Sequence, residues 1–346
     1  MAPSINNSAW LEWMAQLMGG VSRQTCAATF PPDRFYCLLD ELPFHLVPRP
    51  AFAVKPRDAG RDLFLNPECR LCVGEELPEE LASHKELASV FALQGTVAWV
   101  RDANTGSLVP FWLGPKLESV VRNLQLEEPI QDSVPVWMRS ILESAGILVY
   151  ADAIVHRRRE REEALGRAAE LFQEMGYAPL HGLIHPFHIA ALRRYYRYRI
   201  RIGAIPLGDG QSSRRYAAYN DPVARLFHQQ IATPLSAVAG EPLRPSYVYL
   251  ASYLSGAELK KHIDRAQCEF SITLCLDFSP EPDLATPWPI RLDTPTGTAT
   301  VYQALGDGLA YRGTRLPHYR STLGKGQTST SIFFHYVAAD FAGSLD

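Results

Sequence analysis

The chain of 346 residues has no run of about 18 uninterrupted apolar residues, so no membrane span is expected. Its first residues, MAPSINNSAWLEWM, lack the basic start and long apolar stretch of a secretory signal. Six cysteines are too few for a disulfide scaffold, which points to a reduced, cytoplasmic setting. Cys69-x-x-Cys72 is the only tight pair, and Cys26 and Cys37 do not supply the second pair that a zinc site needs; free thiols are the expectation. A net charge of −3 carries no global signature for polyanions, and no internal repeat or low-complexity segment occurs. What is present is 47% apolar and 21% charged residues, a globular composition, with length for roughly two domains.

Charge divides the chain. Residues 1–155 carry 12 basic and 19 acidic side chains, and residues 156–346 carry 22 and 18. The mixed-sign run His156–Glu163 marks a candidate seam and opens a solvated helix that Gly176 stops. The expected division is therefore 1–155 and 156–346.

In the first region, Trp10, Leu11, Met14, Leu17 and Met18 predict a helix over 8–20. Residues 79–93 read as helical. Thr96–Val100 and Ser107–Leu113 read as a hairpin around Asn104-Thr105-Gly106, with helices near 115–125 and 135–145 and a strand at Ile147–Tyr150. Beyond Gly176 come a strand, a turn and a helix with Pro186 in its first turn. From residue 245 the texture is β: Tyr247–Leu254, Phe270–Phe278, Thr298–Ala304, Gly308–Arg312 and Ser329–Val337, with Gly, Pro, Asp or Ser between them. Many short strands with such separators predict a sandwich or barrel.

The sharpest local feature is His262-Ile263-Asp264. In a strand, residues i and i+2 project to one face, so the imidazole and the carboxylate point together. His318, 54 residues after Asp264, follows a Gly-Asp-Gly turn and a strand. Two histidines and one carboxylate on one side of an ion leave adjacent positions open, the facial triad of non-haem Fe(II) oxygenases. Nitrogen and oxygen donors suit Mn, Co or Ni as well.

With its order of strand, Gly turn, H-x-D, strands, Gly-Asp-Gly, His and final strand, the sequence resembles the Fe(II)/2-oxoglutarate-dependent oxygenase superfamily, nearest its prolyl-hydroxylase-like branch. The resemblance spans residues 165–340. It rests on YVYLASYLSGAELKKHIDRAQCEFSITLCL and GDGLAYRGTRLPHYRSTLGKGQTSTSIFFHYV. It implies a C-terminal double-stranded β-helix, jelly-roll or cupin-like, with flanking helices, preceded by a smaller α+β domain. It implies Fe(II) on His262, Asp264 and His318, with 2-oxoglutarate and O2 as co-substrates and succinate and CO2 as co-products. An intact Asp264 favours hydroxylation over halogenation.

One departure concerns the distal carboxylate of 2-oxoglutarate. Many members place a cation about ten residues after the second His, whereas residues 327–331 here read Gln-Thr-Ser-Thr-Ser. A buried carboxylate needs a partner. Arg320, two residues past His318 and on the same inward face, ranks first for a bidentate pair; Lys325 comes next. Tyr249, Tyr253 and Thr330 are candidate hydroxyl donors, and Arg265 and Arg312 are further cations, assigned to substrate.

Other motifs are assigned structure rather than chemistry. His185-x-x-His188 lacks a protease Glu, and His335 reads as a core or pocket residue. Arg193-Arg194-Tyr195-Tyr196-Arg197-Tyr198-Arg199 could stack bases, but is more simply a helix with snorkelling arginines. The expected function is oxidation of an amino acid, peptide or small metabolite, without nucleic-acid or membrane partners, with residues 1–155 as a possible recognition module. The alternatives are a non-catalytic cupin-like binding protein and an oxygenase acting on nucleic acid.

Overall fold

The computed structural model describes residues 30–41, 63–74, 76–84, 90–91 and 95–345, and the helix expected over 8–20 lies outside them. The described residues from 32 onward form one compact unit. In chain order its strands are β1 (Leu63–Leu65), β2 (Cys69–Val73), β3 (Thr96–Arg101), β4 (Leu108–Leu113), β5 (Leu148–Tyr150), β6 (Tyr177–Leu180), β7 (Arg215–Tyr219), β8 (Leu243–Tyr253), β9 (Leu259–His262), β10 (Phe270–Ser279), β11 (Ile290–Thr294), β12 (Gly297–Val301), β13 (Gly308–Arg312), β14 (His318–Arg320) and β15 (Thr328–Ala338). Its α-helices are α1 (Pro115–Arg122), α2 (Val136–Ser144), α3 (Ala153–Met175), α4 (Pro186–Arg201) and α5 (Pro222–Ala239). Glu79–His84 is a 3-10 turn.

The C-terminal half holds two antiparallel sheets, a major one ordered β6-β13-β10-β15-β8-β7 and a minor one ordered β12-β11-β14-β9. From β8 to β15 the chain crosses repeatedly between them, β8 major, β9 minor, β10 major, β11 and β12 minor, β13 major, β14 minor, β15 major. That alternation is the double-stranded β-helix. The long strands β8, β10 and β15 are buried over most of their length, because the minor sheet covers one face and helices the other. On β15, Phe333 and His335 face the interior with Tyr247 and Tyr249 of β8, whereas Phe334 and Tyr336 face His228 of α5.

The helices begin and end on local signals. Gly176 adopts φ +78 after α3 and its N–H closes on the Phe172 carbonyl at 2.9 Å. In α4 the ring of His185 accepts from the Phe187 N–H, with Pro186 at the first position. Asp221 caps α5 by accepting from Val223 and Ala224, and Gly240 ends it.

The first region carries a sheet β2-β3-β4 and the pair β1-β5. It is tied to the barrel's helices by side chains. Gln230 of α5 accepts from the Leu108 N–H and donates to the Leu108 carbonyl. His188 of α4 bonds the Pro110 carbonyl through Nε2, and His185 bonds the Ser144 carbonyl. Phe35 sits fully buried among Phe91, Trp112, His188, Tyr195 and Phe227. Among the described residues no helix is long and apolar enough to cross a membrane.

Candidate metal centre

His262 ends β9 and His318 begins β14, and the antiparallel register places them directly opposite each other. Their ring centroids are 4.4 Å apart. Asp264 lies two residues beyond His262, and its Oδ1 is 3.6 Å from His262 Nε2 and 3.5 Å from His318 Nε2. The three donor atoms all fall within 4.8 Å of one another. Each histidine makes a hydrogen bond through Nδ1 to a backbone carbonyl two residues earlier, His262 to Lys260 at 2.7 Å and His318 to Leu316 at 3.0 Å. A carbonyl only accepts, so Nδ1 carries the hydrogen and a neutral ring keeps the Nε2 lone pair for the centre.

Electrostatics sets the donor states. Burial pushes His318 down, which favours a neutral imidazole, while the hydrogen bond to Asp264 raises His262. Burial pushes the Asp264 carboxyl up, but His262, His318, His335 and Ser271 outweigh it and hold the group below its ordinary value. A carboxylate and imidazole nitrogens without thiolate form a donor set that fits Fe(II).

The carboxylate is fixed from behind. Ser271 Oγ, on β10, is 3.1 Å from Asp264 Oδ2 and 2.8 Å from His335 Nδ1. With Nδ1–H donating to Ser271, the serine can donate to Asp264. The Asp264 N–H bonds the Gly313 carbonyl at 2.8 Å. A Cβ on Gly313 would collide with the Cys268 carbonyl, Asp264 Oδ2 and Ser271 Oγ, so only glycine admits this approach. Tyr311 packs on His318 with centroids 4.7 Å apart. Asp264, Cys268 and His335 form a second donor group sharing the carboxylate. Burial pushes the Cys268 thiol up to about 11 and His335 down to about 4, so the pair is neutral near pH 7.

Arg320, two residues after His318, is also buried and inward-facing. Among the described residues its donors meet only neutral oxygens, the Trp288 carbonyl and Gln303 Oε1, and its guanidinium lies 4.9 Å from the Trp288 ring centroid. Burial pushes its pKa down, as expected for a cation without a counter-charge. Two buried hydroxyls on the interior face, Thr273 of β10 and Ser331 of β15, have no hydrogen-bond partner. Residue register places them diagonally, since Thr273 opposes Phe333 and Cys275 opposes Ser331. Among the described residues Arg320 thus has no counter-charge, and Thr273 and Ser331 keep unsatisfied hydroxyls on the same interior face. Arg215 of β7 is the other buried guanidinium there, but Asp209 matches its charge at 2.7 Å, and Tyr249 also donates to Asp209.

The remaining sequence candidates divide. Tyr253 is buried on the interior face, accepting from Arg215 at 3.4 Å and packing on Trp288. Tyr249 lines the same interior face, its ring tilted against Phe333 with centroids 5.9 Å apart. Arg265 lies over the Tyr247 ring at 4.6 Å, immediately after Asp264. Three others are not brought in. Thr330 bonds Ser252 at 2.8 Å and lies opposite Asp277, on the helix-facing side, because alternation along β15 from the inward Phe333 and His335 turns Ser331 inward and Thr330 outward. Arg312 lies over Phe172 of α3 and Phe270, outside the barrel. Lys325 is exposed in the turn before β15.

Sequence reasoning missed Ser271, Thr273, Gly313, Ser331 and Arg215. Period-two alternation around His262 and Arg320 was the available signal, but the facing residues depend on register and bulges. The arginines of the Arg193–Arg199 stretch are engaged internally. Arg193 and Arg197 hold Asp277, Arg199 holds Asp221, and Arg194 lies over Tyr36. Cys69 and Cys72, three apart on β2, project to opposite faces.

No protein-family model and no curated protein matches the chain. Among solved structures it is similar to SnoN, a non-haem alpha-ketoglutarate-dependent epimerase of nogalamycin biosynthesis, at 15% identity over 51% of this chain and 83% of that one, with a TM-score of 0.44. It is similar to AviO1 from Streptomyces viridochromogenes at 18% identity over 52% and 97%, with a TM-score of 0.43. A prolyl-4-hydroxylase from Pseudomonas putida matches at 16% identity over 49% and 98%, with a TM-score of 0.40.

Proposed function

We propose that the chain is an Fe(II)- and 2-oxoglutarate-dependent dioxygenase that hydroxylates or otherwise oxidises an amino acid, peptide or small metabolite. The observation that carries this reading is the coexistence, in one barrel, of a two-histidine, one-carboxylate centre and a buried Arg320 with no anionic partner among the described residues. A metal-binding barrel without turnover accounts for the first feature and not for the second.

His262 and His318 present Nε2, and Asp264 presents Oδ1, so these three side chains would hold Fe(II). When bound, the iron and 2-oxoglutarate supply the oxidising chemistry, with O2 reduced and succinate and CO2 released. Arg320 takes the distal carboxylate of 2-oxoglutarate, with Thr273, Ser331 and Tyr253 as hydroxyl donors. The orientation of the co-substrate is then fixed by the protein before substrate arrives. Tyr247, Tyr249, Tyr253, Phe278, Trp288 and Phe333 make the surrounding wall apolar and exclude bulk water. No side-chain base is required of this chain.

The test is anaerobic binding of Fe(II) and 2-oxoglutarate to the full chain, followed by succinate release on exposure to air. Stoichiometric uptake of both and slow succinate formation in the absence of substrate are expected. A chain that takes up neither overturns the reading.

A further inference from the structure

The interior face of the major sheet opens to solvent at one end. On β7, Arg215, Ala217 and Tyr219 share that face. Arg215 and Ala217 are buried, whereas Tyr219 is 57% exposed. An aromatic ring on the inner face of a barrel strand, left open to water, lines a mouth rather than a core. Tyr219 stands directly opposite Tyr249 of β8, with centroids 4.5 Å apart, and 6.2 Å from the ring of Tyr247. Tyr247 in turn is 4.6 Å from the ring of His335, which reaches the metal carboxylate through Ser271. One row of rings therefore runs across the sheet from the metal's supporting shell to the exposed rim.

Charge sits on the same row. The Arg265 guanidinium covers Tyr247, is exposed, and immediately follows Asp264 in the chain. The Asp264 carboxylate is directed to the two histidines and Ser271, so it does not neutralise Arg265. Tyr247 itself is buried beneath Arg265, so the open groups of this face are the exposed ring of Tyr219, a π surface for a flat body, and the Arg265 guanidinium, a cation for an acidic substituent.

We propose that the shelf formed by Tyr219 and by the Arg265 guanidinium seated on the buried Tyr247 is the substrate subsite, and that the substrate is an aromatic or similarly flat unsaturated ring carrying an acidic group. The proposal rests on the oxygenase reading of the neighbouring centre and names the class of molecule it oxidises. A nucleic-acid strand would also stack on tyrosines, but the arginines of α4 that would track its backbone are paired internally.

The experiment is calorimetric titration of the full chain, loaded with Mn(II) and 2-oxoglutarate, with 2-naphthoate as the probe. Decalin-2-carboxylate and 2-naphthamide serve as controls for ring flatness and charge. The naphthoate is expected to bind about tenfold or more tightly than either control. Tyr219→Ala is expected to weaken naphthoate about tenfold, while Tyr219→Phe keeps the affinity. Arg265→Gln erases the preference for the acid over the amide, and Arg265→Lys restores part of it. Equal affinities for the naphthoate and both controls overturn the proposal, as does a Tyr219→Ala variant that binds as the wild type does. Preference for a single-stranded oligonucleotide over the naphthoate overturns it too. Uptake of Mn(II) and 2-oxoglutarate by the wild type is measured first. If both bind and the probes are not discriminated, the shelf assignment alone falls. If neither binds, the oxygenase reading falls and the substrate assignment with it.

Discussion

Ser271 joins Asp264 to His335, with its hydroxyl 3.1 Å from Asp264 Oδ2 and 2.8 Å from His335 Nδ1. The outer oxygen of the Asp264 carboxylate is thereby held by a side chain on β10, a strand of the opposite sheet. Removing the hydroxyl in Ser271→Ala frees the carboxylate to rotate. Metal affinity is expected to fall on the order of 10- to 100-fold, read by competitive titration of Mn(II) or Co(II). Ser271→Thr, which keeps an oxygen there, is expected to lose less.

Gly313 makes the same point through backbone. Its missing side chain is what allows the Asp264 N–H to reach the Gly313 carbonyl. Gly313→Ala is expected to cost about 1–3 kcal/mol of stability by overpacking and to weaken the metal by displacing Oδ2. Thermal melting and metal titration check the two effects separately.

Arg320 separates stability from function. A buried guanidinium without a counter-charge costs desolvation, so Arg320→Met is expected to leave the ligand-free protein as stable or more stable. The same variant is expected to raise the KM for 2-oxoglutarate on the order of 10-fold or more, because a charge-assisted pair is lost. A marked fall in the ligand-free melting temperature, with unchanged KM, would contradict the assignment.

Acid should unfold this protein early. Burial pushes both His188 and His228 down to about 3, against an ordinary value near 6.5. Below about pH 6.5 the unfolded chain binds protons that the folded chain does not. Stability therefore falls as pH drops from about 6.5 towards 3, by up to about 1.4 kcal/mol per pH unit for each histidine. Denaturation midpoints between pH 7 and pH 4 test this, and His228→Phe should flatten the slope.

The sequence made the scaffold legible where the signals were strong. Alternation with aromatic and β-branched residues marked β8, β10 and β15, and Gly176 and Pro186 marked the end of α3 and the start of α4. Helix α5 went unread although Asp221, Pro222 and Gly240 supply its start and stop. The short strands β9, β11 and β14 carry too few residues for a period to show. In the site, His262, Asp264 and His318 were readable because their spacing is local or follows a turn. Thr330 illustrates what was not. Its neighbour Ser331 is the hydroxyl that faces inward, in phase with Phe333 and His335, and which phase of β15 points inward is set by its pairing with β8 and β10 rather than by the residue types.

The two histidines occupy unequal places in their sheet. His318 lies on a strand flanked by β11 and β9, whereas His262 lies on β9, the free edge. Lys260 and Lys261 on that edge guard it against pairing with another chain, since a lysine there would have to be desolvated. An edge strand of four residues frays more readily than an interior one. Fraying of β9 would release His262 while His318 stays seated between its neighbours. The centre would then have one anchored and one labile nitrogen donor, and exchange of the metal would proceed from the β9 side.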